Sequence, residues 1–174
     1  MVIGAANLEN IEGLPPVMKQ TYVYPFVEPA AMVWEHEVGE PLQLTGAFMS
    51  HPPHVTDEFT AVIGITGDLR GTVLYQMNKQ VALTVASKMI GEPVETLDEM
   101  ALSALGEMAN MMSGNATTMV AQAGYVCDIS PPAMLVPTEG IELRLHGTGS
   151  HLVVNFTCSL GDFSVRIGLV ESSA

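Results

Sequence analysis

The stretch that decides the fold runs from residue 96 to residue 124 and reads TLDEMALSALGEMANMMSGNATTMVAQAG. Thr96 is a favoured N-cap residue, and Glu99, three positions later, completes the pattern of a capping box. Gly124 fits the left-handed position that commonly follows the end of a helix. The stretch therefore predicts one helix from Thr96 to about Ala123, roughly seven turns long at 3.6 residues per turn.

The two faces of this predicted helix differ sharply in chemistry. One face is an apolar stripe with the spacing of a core-facing helix, and it consists of Ala101, Leu105, Met108, Met112, Ala116 and Met119. The opposite face, called the motif face below, carries one carboxylate, one carboxamide and otherwise small groups, and it consists of Ser103, Glu107, Asn110, Gly114 and Thr117. The small groups would let another macromolecule approach Glu107 and Asn110, which are neighbours at i, i+3. The plainer interpretation is an amphipathic helix with a weakly polar exterior.

The motif face carries a family resemblance. The pattern Ser103-x-x-x-Glu107-x-x-Asn110, followed about twenty residues later by Ser130-Pro131-Pro132, resembles the signature of the CheC/CheX/FliY family of bacterial chemotaxis phosphatases. The order of the surrounding elements fits the CheX-like members best. The similarity extends over most of the chain, from about residue 24 to residue 169.

This resemblance implies a protein phosphatase that hydrolyses the aspartyl phosphate of a CheY-type response regulator. The helix would insert Glu107 and Asn110 into the partner's active site, where Asn110 positions the attacking water and Glu107 pairs with a lysine. Ser103 and Gly114 would lie against the partner. The resemblance also implies that the chain has no metal or cofactor of its own, because the response regulator supplies the Mg²⁺, and that it forms a homodimer by joining sheets.

Two other functions use the same features. A non-catalytic module that binds and sequesters a response regulator would present the same face, although such a binder could dispense with the carboxamide of Asn110. A structural component associated with the flagellar switch is the third possibility, and such proteins normally bring further domains.

The composition favours one compact domain with an acidic surface. The 174 residues are 48% hydrophobic and 14% charged, with a formal net charge of −13. That charge disfavours binding to nucleic acids and to anionic membranes, because both carry negative phosphate groups. No stretch has the apolar length of a membrane span, and the N-terminus lacks the pattern of a signal peptide. We therefore expect a cytoplasmic protein in which Cys127 and Cys158 are free thiols.

The rest of the chain predicts an α/β (α+β) fold, with a mostly antiparallel sheet and long helices packed on one face. Residues 1–22 are predicted to be an N-terminal extension, and residues 23–174 a single CheX-like phosphatase domain. Strands are expected at Phe59–Thr66 and Gly71–Met77, joined at Gly67-Asp68, and a capped helix is expected at Lys79–Ile90.

A second hairpin suggests an internal duplication. Strands are expected at His151–Cys158 and Phe163–Val170, with a turn at Gly161-Asp162 that resembles Gly67-Asp68. The two hairpins suggest pseudo-duplicated helix–strand–strand units, as in CheC-like proteins. The first helix, expected from Pro25 to Gly39 and tolerating Pro29 only near its start, has no Glu-x-x-Asn pattern. One site per chain is therefore predicted.

Other candidate groups are assigned structural roles. Ser113 lies inside the helical pattern, so we expect it to pack against the protein and not to act as a nucleophile. His146 and His151 flank a loop and are expected to be solvated. His51 and His54 have no third ligand nearby, so a rigid surface turn is expected there and not a metal site.

Overall fold

The computed structural model describes residues 20–51, 54–55, 59–136, 142–143 and 149–173. It contains three helices in these residues, α1 (Gln20–Val38), α2 (Lys79–Ile90) and α3 (Glu99–Gln122). The strands are β1 (Gln43–Ser50), β2 (His54–Val55), β3 (Phe59–Gly67), β4 (Leu69–Met77), β5 (Cys127–Ile129), β6 (Ala133–Leu135), β7 (Glu142–Leu143), β8 (His151–Cys158) and β9 (Gly161–Glu171).

The strands form one antiparallel sheet and a small separate pair. The main sheet has the order β1-β8-β9-β4-β3-β5, and β6 also pairs with β3. β2 and β7 form the separate pair. The three helices pack together, and α1 and α3 also contact the sheet. Their shared core contains the large side chains Trp34, Phe26, Phe163 and Tyr75. The predicted fold class is therefore confirmed.

The sheet is built from two similar halves, one with the β3–β4 hairpin and one with the β8–β9 hairpin. The β3–β4 and β8–β9 hairpins lie side by side, so that β4 and β9 form the centre of the sheet. β1, which follows α1, pairs with β8, and β6, which follows α3, pairs with β3. A strand from each half thus pairs with the hairpin of the other half. This arrangement places α1 and α3 at matching positions and makes them neighbours.

Both hairpins are confirmed, but the second turn lies two residues earlier than predicted. Gly161 already belongs to β9, where it pairs with Cys158. The turn is made by Ser159 and Leu160. Gly161 adopts a φ of 132°, a backbone conformation that side-chain-bearing residues rarely adopt. The glycine therefore serves the start of the strand and not the turn itself.

The start of α3 also differs from the prediction. Asp98 is the N-cap in place of Thr96, and its carboxylate accepts a hydrogen bond of 2.9 Å from the backbone N–H of Ala101. This register puts Leu97 and Leu102 at the two positions of a hydrophobic staple, and both side chains pack on the core. Partial burial of both leucines against the core favours the later start. The other end follows the prediction, since Gly124 is left-handed at a φ of 93°.

Helix α1 begins five residues earlier than predicted, which places its two prolines in the helix interior and not near its start. The described helix begins at Gln20, so Pro25 and Pro29 both lie inside it. Each interior proline costs about 3 kcal/mol of helix stability. Burial of aromatic side chains on this helix, including Tyr22 and Phe26, offsets that cost. Tyr22 belongs to the core although the predicted extension ends at residue 22. The extension itself remains a prediction, because residues 1–19 lie outside the described residues.

Candidate functional site

The motif face of α3 points away from the protein. Ser103, Glu107 and Asn110 are exposed, whereas Gly114 and Thr117 are half-buried. The apolar stripe on the other side is buried at every predicted position except Met119, which is half-buried. The predicted division of the helix into a core stripe and an outward acid–amide pair is therefore present in the structure.

Glu107 and Asn110 are free to bind a partner. They lie on one side of α3, one turn apart, because residues at i and i+3 are neighbours on a helix. Among the described residues neither side chain has a hydrogen-bond or ion-pair partner. The helix carries no Lys or Arg from Glu99 to Gln122. The carboxylate of Glu107 is therefore available to a cation from outside, and the carboxamide of Asn110 to a donor and an acceptor.

The Ser130-Pro131-Pro132 segment, which joins β5 to β6 and is called the proline turn below, lies beside this pair. Its position is fixed by Ser130, whose backbone N–H donates to the carbonyl of Gly64 at 2.9 Å. The Ser130 hydroxyl accepts from the backbone N–H of Gly64 at 2.8 Å. Because Gly64 belongs to β3, the neighbouring strand of the sheet holds the proline turn in place.

An open groove of about 700 Å³ lies between the proline turn and α3. The motif-face residues Ser103, Glu107 and Asn110 line one wall of this groove, and Pro131, Pro132 and Met134 line the other. Its floor is Gly106, where an added Cβ would stand 2.6 Å from the terminal methyl of Met134. A glycine inside a helical pattern, here Gly106, can indicate that another segment packs closely against the helix.

Ser113 and His151 are both buried, which was predicted for Ser113 but not for His151. Ser113 is fully buried, and its hydroxyl lies 2.9 Å from the hydroxyl of Tyr75, which confirms a packing role and excludes a nucleophile at the surface. His151 is also fully buried, with its Nε2 3.2 Å from the Thr72 hydroxyl, so the expectation of a solvated histidine was wrong. Gly168 makes room for the imidazole, since a Cβ there would lie 2.4 Å from that nitrogen. His146 lies outside the described residues.

The described residues contain no group of three or more His, Cys, Asp or Glu side chains arranged to hold a metal ion. Cys127 and Cys158 are free thiols, as expected. Burial raises the pKa of the Cys127 thiol above its ordinary value. No described helix is long and apolar enough to cross a membrane.

The fold of this chain is that of CheC-like proteins. A CheC-like superfamily protein from Shewanella sp. PV-4 has the same fold, with a TM-score of 0.77 at 19% identity over 90% of this chain and 100% of that one. The structure of the CheX-CheY-BeF3-Mg²⁺ complex from Borrelia burgdorferi matches with a TM-score of 0.71 at 25% identity, over 86% of this chain and 98% of that one.

The family model described as chemotaxis phosphatase CheX matches residues 59–157, which is more than half of the chain. The CheY-P phosphatase CheX of Thermotoga maritima is 37% identical over 98 residues, which cover 56% of this chain. The match spans 59% of that relative's own length. The chain therefore belongs to the CheX family of chemotaxis phosphatases.

Proposed function

We propose that this chain hydrolyses the aspartyl phosphate of a CheY-type response regulator in the cytoplasm. The observation that carries the proposal is the exposed and unpartnered pair of Glu107 and Asn110 on α3, beside the groove of the proline turn. The curated relative is a CheY-P phosphatase, and the Borrelia burgdorferi complex pairs a CheX protein with CheY. Both support a phosphorylated response regulator as the substrate.

The chemistry requires little more than the placement of one water molecule. An acyl phosphate is already activated, so hydrolysis needs water in line with the bond between phosphorus and the aspartyl oxygen. Water forms the new bond to phosphorus, the aspartate carboxylate leaves, and the proton of the water ends on the released phosphate. Asn110 suits this role because its oxygen can accept from the water and its NH₂ can donate, with no change in protonation. Positioning of this kind supplies a large part of the rate.

Glu107 suits docking better than proton transfer. A carboxylate is poorly placed to act as a base beside a phosphoryl group that is itself anionic, because the two charges repel. A lysine in the regulator's active site would instead attract the free carboxylate of Glu107. The ion pair would form in a contact from which water is largely excluded, where charged pairs gain strength. The pair would thereby fix the register of α3 in the partner's site.

The other residues of the motif face leave room for the response regulator to approach α3 closely. Ser103 and Gly114 flank the pair and carry little bulk, so we assign them to the contact with the regulator. The groove beside them offers Pro131, Pro132 and Met134 for apolar contact. Such contact compensates for the acidic surface, since the net charge of −13 gives no general attraction to a phosphorylated partner.

The proposal assigns the Mg²⁺ to the response regulator and not to this chain. The Borrelia burgdorferi complex contains CheX, CheY, BeF3 and Mg²⁺, which supports a metal that arrives with the partner. A homodimer also remains part of the proposal. β1, the last described strand on its side of the sheet, pairs with β8 alone among the described strands, which leaves an edge for a second copy.

Phosphate release from a phosphorylated receiver domain tests the proposal. A CheY-type receiver domain is phosphorylated with acetyl phosphate, freed of the donor and mixed with one tenth of its concentration of this chain. We expect many turnovers per chain and a rate proportional to the concentration of the chain. Binding without acceleration, or protection of the phosphate at equal concentrations, would establish the sequestering module instead.

A further inference from the structure

One buried polar contact ties the helix of the site to the centre of the sheet. The hydroxyls of Ser113 on α3 and Tyr75 on β4 lie 2.9 Å apart. Ser113 is 0% exposed and Tyr75 is 1% exposed. Among the described residues this is the one hydrogen bond that joins α3 to the sheet. Ser113 follows Asn110 by three residues and therefore lies one helical turn beyond it.

The rest of the contact between α3 and the protein is made mainly by small or flexible apolar side chains. The buried residues of α3 are three alanines, two methionines, one leucine and one valine, together with Gly106 and Ser113. Methionine is flexible and adapts to different packings, and alanine offers no directional contact. The close approach at Gly106 is met by the terminal methyl of Met134, which can move aside. Such contacts leave the hydrogen bond between Ser113 and Tyr75 as the directional contact between α3 and the sheet.

Tyr75 is a rigid anchor for the hydrogen bond. It lies on a central strand, paired with β3 on one side and β9 on the other. Its ring stacks on Phe163 with the planes 3° from parallel and the centroids 6.4 Å apart. Burial raises the pKa of Tyr75 well above its ordinary value, so the hydroxyl stays protonated. A directional bond to a fixed partner selects one arrangement from several similar ones.

We propose that Ser113 and Tyr75 are positioning residues, whose hydrogen bond sets the rotation of α3 and thereby the direction in which Asn110 points. This inference rests on the proposed function, since it assigns the two hydroxyls a role in the same site. Neither hydroxyl touches the phosphoryl group or the attacking water. A displacement of about 1 Å at a reacting group can lower a rate about 100-fold, so a small rotation of α3 suffices.

Three variants separate positioning from stability. Tyr75→Phe and Ser113→Ala each remove one partner, and each should lower both the Tm and the kcat. The double variant Tyr75→Phe/Ser113→Ala replaces both partners by apolar groups, which can restore stability because no buried hydroxyl is left unpaired. We expect its Tm to return toward the wild-type value, while kcat stays about 10-fold to 100-fold low and KM changes little.

A matched control removes a buried hydrogen bond elsewhere. Thr60→Val deletes the hydroxyl that accepts from the Gln76 side chain at 3.0 Å, on the face of the sheet away from the helices. It should lower the Tm without changing kcat. If the double variant regains both the wild-type Tm and the wild-type kcat, the hydrogen bond only stabilises the fold and the inference is overturned. Unchanged kcat values in the two single variants would overturn it as well.

A crystal structure of the double variant gives a readout that does not depend on activity. We expect α3 to be rotated, or Glu107 and Asn110 to occupy more than one position relative to Pro132. An α3 that superposes on the wild-type helix would contradict the inference even in an inactive protein. Conversely, if the wild-type chain releases no phosphate, the proposed function fails, whereas a rotated α3 would still show that the two hydroxyls orient the helix.

Discussion

Helices α1 and α3 occupy matching places in a repeated architecture, yet their outward faces differ. α3 presents Glu107 and Asn110 without partners among the described residues. α1 presents Met32, which is 62% exposed, and the exposed Glu35. Nearer the start of α1, partial burial and a hydrogen bond to Glu28 raise the pKa of Tyr24 to about 12. The outward face of α1 is thus partly occupied by its own side chains.

The fold thus provides two helix positions whose outward side chains differ, and we propose that only the α3 position acts on a partner. Both helices bury one side against the shared core, so packing alone does not distinguish them. Only α3 has a carboxamide three residues after a carboxylate on its exposed side. A proline turn also borders α3 among the described residues. The predictions below test this division, from the largest expected effect to the smallest.

The largest effect is expected from Asn110→Ala. Loss of a group that positions the attacking water should lower kcat by about two to four decades, by analogy with general acid–base contributions. Because Asn110 is exposed and unpartnered, the Tm should change little. Phosphate release under single-turnover conditions and thermal unfolding measure the two effects. A rate of phosphate release equal to that of the wild type would show that Asn110 does not position the water.

Glu107→Ala should act mainly on recognition. Breaking one side of a desolvated ion pair costs a few kcal/mol, because the other charge is left unpaired. We therefore expect KM for the phosphorylated regulator to rise about tenfold or more. Steady-state titration of Glu107→Ala and Asn110→Ala against one phosphorylated receiver domain compares the two. If Glu107→Ala lowers kcat alone and leaves binding intact, Glu107 belongs to the chemical step.

A bulky residue at Gly114 should have a smaller effect on the same face. No other atom lies within 4 Å of a Cβ added at Gly114, so a side chain fits without strain. Gly114→Gln should therefore fold normally but raise KM severalfold, because it obstructs the approach of the regulator. Gly114→Ala is the matched control, and its higher helix propensity can add up to about 1 kcal/mol of stability. Equal KM values for the two variants would place Gly114 outside the contact.

The smallest effect is expected on α1. Met32→Ala and Glu35→Ala alter exposed side chains, so each should change the free energy of unfolding by no more than about 0.5 kcal/mol. Phosphate release should stay at the wild-type rate in both variants and in their combination. A large loss of turnover in the combined variant would reveal a second active face and remove the contrast between the helices.

Local interactions explain the features that the sequence predicted well. Helix α2 has its predicted bounds, with Asn78 accepting from the backbone N–H of Val81 at 2.8 Å and Gly91 left-handed at its end. The outward placement of Glu107 and Asn110 follows from helical periodicity, and the hairpins follow from successive strands with a glycine beside each turn. Each of these patterns is decided within a few neighbouring residues, so the sequence displays them directly.

Local rules failed where distant packing competed with them. α3 is capped by Asp98 and not by the predicted Thr96, because that register partly buries Leu97 and Leu102 against the core. α1 tolerates Pro25 and Pro29 because its aromatic residues are buried against α3 and the sheet. His151 is buried at a point where Gly168 of the neighbouring strand leaves space for it. None of these outcomes can be read from the sequence near the residue concerned.

The sequence by itself determined the helix, its acid–amide pair and the family to which the pattern points. The tertiary structure alone decided what surrounds that pair. Gly64 and Ser130, 66 residues apart, hold the proline turn beside α3, and Tyr75 and Ser113, 38 residues apart, join the helix to the sheet. Periodicity fixes how side chains are arranged around one helix, because neighbouring residues share its backbone geometry. The direction in which that helix faces depends on contacts between segments that meet only after the chain has folded.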